Sequence, residues 1–122
     1  MPRSDRSAEA MTPLRPAIYQ ILLALGDTER HGYGIMQSLE EKTDGRATIL
    51  PGTLYACITR MLEDGLIEER DGPDGGESGG PPRRYYRRTS SGRAVARAES
   101  ERLRALLDIA VSQKLVARTA GS

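Results

Sequence analysis

One histidine, His31, and one cysteine, Cys57, are all that this chain of 122 residues offers of the two side-chain types that most often ligate metals or drive nucleophilic chemistry. A zinc site wants three or four ligands of that kind and a disulfide wants a second thiol, so no metal, no cofactor and no internal disulfide is expected. Cys57 reads as a small core side chain, with a redox switch as the other use of a lone thiol. His31 reads as a cap or an exposed residue. Gly32-Tyr33-Gly34 lacks the third glycine of a dinucleotide fingerprint and follows a helix rather than a strand. No Gly-Lys-Ser/Thr follows the glycine-rich run at 71–82, which excludes a phosphate loop of the nucleotide-hydrolase kind. Neither paired carboxylates nor a Ser/His/Asp set can be placed in one pocket, and an enzyme is not expected.

The chemistry that remains is recognition of anions by arginine. Of 18 basic residues, only Lys42 and Lys114 are lysine. Arginine's planar fork suits phosphate and base edges, although a genome rich in G and C would enrich it as well. The net charge of +1 hides an uneven layout. Residues 31–82 carry four bases against ten acids, whereas 83–104 carry eight arginines against Glu99 and Glu101. Arg83, Arg84, Arg87 and Arg88 flank Tyr85 and Tyr86, and such crowding costs stability unless the cations meet water or an anion. The acidic stretch 63–77 reads as solvated surface that also resists indiscriminate binding to DNA.

Four helices and a hairpin must position these groups. Residues 1–13 read as a flexible arm, with Thr12 capping and Pro13 starting a helix to Leu25 that carries Leu14, Ile18, Ile21, Leu22 and Leu25 at helical spacing. A second helix, about 32–44, turns Ile35, Met36 and Leu39 inward, with Gly45 as its C′ residue. Pro51 opens a third, running to Gly65. At 100° per residue it sends Leu54, Ile58, Met61 and Leu62 to one side and Gly52, Thr53, Ala56, Thr59, Arg60 and Glu63 to the other, with Tyr55 on the boundary. An outward face so small and polar suits close approach by another molecule. Residues 66–70 and 83–88 have strand length around a tip of five glycines and three prolines, giving a hairpin that must lean on the helices.

From Thr89, a plausible N-cap, a last helix extends to about Arg118. Leu103, Leu106, Leu107, Ala110, Val111 and Leu115 form an apolar stripe along its distal half, longer than so small a core can cover. The stripe is expected to form a homodimer; the alternative is a tail folded back on the chain's own first helix. The composition, 38% hydrophobic without Phe or Trp, fits one aliphatic core. With no run of about 18 apolar residues and no signal-peptide core near the start, a cytoplasmic protein without membrane contact is expected.

Helices followed by a glycine-rich hairpin is the order of a winged helix-turn-helix, a mainly α fold with a small β-hairpin. Within it lie Arg30-His31-Gly32-Tyr33-Gly34-Ile35, Gly52-Thr53-Leu54-Tyr55, Leu62-Glu63-Asp64-Gly65-Leu66-Ile67 and Arg84-Tyr85-Tyr86-Arg87-Arg88-Thr89-Ser90-Ser91-Gly92. Together these strings resemble the PadR family of bacterial transcriptional regulators, over about Leu14 to Leu115, in its short subclass with one helix after the wing. The resemblance implies a DNA-binding domain over 14–88, a dimerisation helix over 89–118 and a tail over 119–122. It implies a sequence-specific regulator, a repressor that binds an inverted repeat as a homodimer and is released by an unidentified effector, either through a small molecule at the dimer interface or through altered spacing of the two reading heads. Pro51 to Glu63 would be the recognition helix, with Gly52, Thr53, Tyr55, Ala56 and Arg60 toward DNA. His31, Gly32 and Tyr33 would start the supporting helix near a phosphate, and Arg83 and Arg84 would carry the wing. Tyr33, Tyr55 and Tyr86 also read as packing residues. Arg88 stands where the family usually has an aliphatic residue, and Ala56 where a proline often follows the tyrosine. A winged-helix protein-interaction module, its acidic 31–82 region taking a basic partner, is the alternative.

Overall fold

The computed structural model describes residues 8–71 and 84–117. After helical residues 8–10, four helices and three short strands follow in the order α1 (Pro16–Leu25), β1 (Arg30–His31), α2 (Gly32–Lys42), α3 (Pro51–Glu63), β2 (Ile67–Asp71), β3 (Arg84–Arg88) and α4 (Ser90–Ser112). The fold is mainly helical with a small antiparallel sheet, a winged helix-turn-helix with a long helix after the wing. One strand exceeds the expected hairpin. β1 pairs with β3, Arg30 opposite Tyr86 and His31 opposite Tyr85, so the sheet order is β1-β3-β2. Two residues are too short for an alternating pattern, which is why the sequence did not announce this strand.

The core is aliphatic. Ile21 and Leu22 of α1, Ile35 of α2, Leu54 and Met61 of α3, Leu66 and Val95 are completely or almost completely enclosed. Ile58 and Cys57 also lie inside, as the helical spacing predicts, and Tyr86 is the aromatic ring that joins them. Ser38 is buried within α2, where its hydroxyl donates to the Ala24 carbonyl at 2.9 Å. That bond satisfies a carbonyl left open near the end of α1 and makes a polar group tolerable there.

Helix ends account for most differences from the expected spans. α1 starts at Pro16, which takes the first-turn position, rather than at Pro13. Thr12 does not cap it: its hydroxyl donates to the Glu9 carbonyl at 2.8 Å, closing a turn that precedes α1. Ala8 is buried in the core cluster, so the part of the arm that is described is docked against the domain. α2 ends at Lys42. The left-handed residue that terminates it is Asp44, at φ 53°, with Gly45 following at φ 78°. α3 closes in a left-handed Gly65, whose N–H reaches the Leu62 carbonyl while the Leu66 N–H reaches that of Met61.

α4 is 23 residues long, about 34 Å, and stops at Ser112 instead of continuing to about Arg118. Lys114 adopts φ 63°, the Leu115 N–H bonds the Ala110 carbonyl at 3.0 Å, and the Lys114 N–H bonds that of Val111 at 2.9 Å. This is a Schellman motif built without glycine, and no sequence signal marks it. At its other end, the Thr89 hydroxyl accepts from the Gly92 N–H at 2.9 Å, the cap expected there. No helix is long and apolar enough to cross a membrane among the described residues.

Candidate nucleic-acid interface

The outward face of α3 is built mainly of small side chains. Gly52, Thr53, Ala56, Thr59 and Arg60 are all exposed while Leu54, Cys57, Ile58 and Met61 anchor the opposite side. Thr59 spends its hydroxyl on the Tyr55 carbonyl one turn back, at 3.0 Å. A helix with glycine, alanine and self-bonded threonine along its crest can be approached to within contact distance of its backbone. Pro51 at the first turn and Gly65 past the last fix where that crest begins and ends.

On one flank the crest meets a pocket lined by His31, Gly32, Tyr33, Tyr55, Arg84 and Tyr86. Three elements converge there, the start of α2, the flank of α3 and strand β3. Tyr55 leans across so that its hydroxyl lies against Gly32, and any Cβ at that position would collide with the phenol. A side chain at 32 would therefore force the half-exposed Tyr55 ring to swing away from the start of α2. Gly34 is different, because its N–H is held by His31 Nδ1 at 3.0 Å, the N-cap of α2. Its amide is therefore already engaged within the chain. The His31 ring stacks parallel to Tyr33 with centroids 6.4 Å apart and meets Tyr85 edge-on at 5.4 Å.

Of the tyrosines expected to pack, Tyr86 does, and Tyr33 and Tyr55 remain 60% and 50% exposed. Burial pushes the Tyr86 hydroxyl above its ordinary value, with the charge of Glu69 and the nearby Tyr55 adding to the rise and Arg84 opposing it. Tyr86 thus stays a neutral phenol throughout the physiological range.

The other flank carries Arg60, which lines a groove with Met11, Pro13, Leu14, Arg15, Ile18, Asp64 and Leu66. Its guanidinium donates to Asp64 at 3.1 Å. Arg84 is paired with Glu69 at 3.2 Å, and Arg87 with Glu68 directly across the strands. Arg83 lies outside the described residues. Arg88, the unexpected cation before Thr89, points inward. It reaches the Leu22 carbonyl at 3.3 Å and Asp27 at 2.9 Å, so its charge sits at the C-terminal end of α1, where a helix favours a cation. Nothing in the strings around it announced this, since the partner lies more than sixty residues earlier in the chain.

The apolar stripe of α4 is far from this face. Leu106, Leu107 and Leu115 are exposed, Leu103, Ala110 and Val111 are half-buried, and Ile109, absent from the expected stripe, is exposed beside them. The buried face of the helix's first half, Val95, Ala96 and Glu99, runs on into Leu103, Leu106 and Ala110 without turning. α4 touches α1 at Ser100, and Leu14 just ahead of α1 at Glu99, and then continues as one helix to Ser112 with Leu106 and Leu107 exposed.

Residues 21–98 match the model of the transcriptional regulator PadR-like family. The chain belongs to that family. A crystal structure of a PadR family transcription regulator from Clostridium difficile superposes with a TM-score of 0.66 at 26% identity, over 82% of this chain and 98% of the other. Bacillus subtilis PadR in complex with operator DNA superposes at 0.59 with 23% identity, over 68% of this chain and 46% of that one, and shares the fold. A Lysinibacillus sphaericus protein, "uncharacterized protein X", is 37% identical over 76 residues. The match covers 61% of this chain and 65% of that relative's length. PadR family members are regulators of transcription and not enzymes.

Proposed function

We propose that this PadR family member is a sequence-specific DNA-binding repressor that reads an inverted-repeat operator as a homodimer. The observation that carries the proposal is the crest of α3. It is small, exposed and nearly level, with Tyr55 and Arg84 on one flank and Arg60 on the other. A crest of that shape enters a major groove without steric conflict, and the two flanks then meet the groove walls. Gly52, Thr53 and Ala56 face the base edges. Arg60 reads a base, Arg84 and Arg83 position the duplex through phosphates, and His31, Gly32 and Tyr33 lie along the backbone beside Tyr55. Operator DNA bound to the Bacillus subtilis relative supports this reading.

Leu103, Leu106, Leu107, Ala110, Val111 and Leu115 join the two copies, which sets the spacing of the reading heads at about one helical turn or a multiple of it. An effector acts by changing that spacing, and the protein works in the cytoplasm where the chromosome is accessible. The acidic 31–82 region gives little support to a basic protein partner, because Asp64, Glu68 and Glu69 are each taken up by an arginine of the same chain.

Selection of bound fragments from the source genome, followed by footprinting, supplies the operator for the test. Arg60→Ala is expected to relax preference at one base position, where a bidentate guanine contact gives about 1–3 kcal/mol of discrimination. Arg84→Ala is expected to weaken all duplexes alike and to lower the salt slope by about 0.9. Identical behaviour of the two variants would refute the division of roles. Failure of the unmodified protein to select any fragment would refute the function.

A further inference from the structure

Three arginines that the described structure places on the face just outlined are each held by a carboxylate of their own chain. Arg60 pairs with Asp64, Arg84 with Glu69 and Arg87 with Glu68. These are surface pairs: Arg60 is 61% exposed and Arg84 64%, so their net contribution to folding is about 0–1 kcal/mol. Stability therefore gives little reason for three acids to accumulate on a face that must meet a polyanion.

The pairs have a different consequence for binding. A phosphate that approaches Arg84 must displace Glu69 and then share the site with its negative charge. Release of the cations condensed on DNA drives association with any duplex regardless of sequence, and it is weakened when an arginine that shares its charge with a tethered carboxylate neutralises a phosphate less completely. A base edge or a well-placed phosphate in the operator has hydrogen-bond geometry to exchange for the lost pair, and a random duplex has less. The arrangement lowers binding to all DNA and lowers it most where the fit is poor.

We infer that Glu69 and Asp64 are specificity-determining residues: each is a tethered counterion that a correctly placed operator group displaces, and together they suppress binding to random DNA. The inference rests on the DNA-binding reading above. Glu69 has a second hold on the same place, since it lies directly opposite Tyr86 in the β2–β3 register and its charge acts on that phenol.

The test compares operator and random duplexes at several salt concentrations with the full chain. Glu69→Gln and Asp64→Asn keep size and polarity and remove one charge each. Either is expected to tighten binding to random duplex three- to tenfold, to tighten operator binding less, and to steepen the random-DNA salt slope. Glu101→Gln, the same charge change on α4, is expected to do much less. In an Arg84→Gln background the effect of Glu69→Gln should shrink markedly, because the carboxylate then has no cation to hold and only its repulsion of the duplex remains. Persistence of the full effect there would show a general charge effect and overturn the inference. Unchanged random-DNA affinity in Glu69→Gln, with normal operator binding by the parent chain, would overturn it while leaving the function intact. A parent chain that binds neither duplex would remove the DNA reading and this inference with it. Circular dichroism of each variant establishes that these exposed substitutions leave the fold in place.

Discussion

Two glycines with the same letter in the sequence have opposite physical roles. Gly92, in the first turn of α4, is buried against the Leu66 carbonyl, and a Cβ there would fall inside that oxygen's envelope and within 3.1 Å of Arg88 Cγ. Alanine gains helix propensity of about 1 kcal/mol, but backbone that cannot yield sets the sign. Gly92→Ala is expected to destabilise the fold by about 1–3 kcal/mol, as overpacking does, and a urea midpoint equal to or above the parent's would contradict this. Gly52 has nothing within 4 Å of its missing Cβ. Gly52→Ala should raise stability by about 0.5–1 kcal/mol in the same measurement and weaken operator binding, because the added methyl stands on the crest of α3.

Among elements, the joint between α4 and the start of α1 is the one with a pH signature. Glu99 is almost completely enclosed, with two bonds from Arg102 at 2.9 and 2.7 Å and one from the Leu14 N–H at 3.3 Å. The bonds from Arg102 hold its carboxyl below the usual range, helped by the Leu14 amide and opposed by burial. A carboxyl lowered in the folded chain contributes stability that is complete above its ordinary value. That contribution is lost as pH falls through the lower, folded-state value. Glu99→Gln is accordingly expected to be less stable than the parent at neutral pH, with the gap in midpoint closing in acid. A gap that stays constant from neutral to acid pH would show that the charge is not what holds the joint. Tyr19 and Ser100, whose hydroxyls lie 2.7 Å apart, fasten the same two helices a turn away.

For the whole molecule, the decisive feature is a helix whose buried face outruns its domain. Beyond Glu99 the same face presents Leu103, Leu106, Leu107 and Ala110 to solvent, and each large apolar side chain that becomes fully buried contributes about 1.5–3 kcal/mol. Leu106→Glu combined with Leu107→Glu is expected to convert a dimer at micromolar concentration into a monomer in sedimentation velocity, with helicity retained. Operator affinity should fall at least a hundredfold, since two half-sites are no longer read by one particle. A parent chain that sediments as a monomer would refute dimerisation through the stripe.

Much of this was legible from local pattern. Helical spacing marked the core faces of α1, α2 and α3, Pro51 and Gly65 marked the limits of the crest, and Thr89 marked the start of α4, because each of these is decided by residues within one or two turns. Tertiary structure alone decided what depends on distant partners. It added a two-residue third strand, turned Arg88 onto the end of α1 and placed Ala8 in the core. It also paired Arg84 with Glu69 and Arg87 with Glu68 across two strands, whereas Arg60 meets Asp64 one turn along the same helix. A side chain's identity is written locally, but the charge or carbonyl that it meets is chosen by how the elements pack.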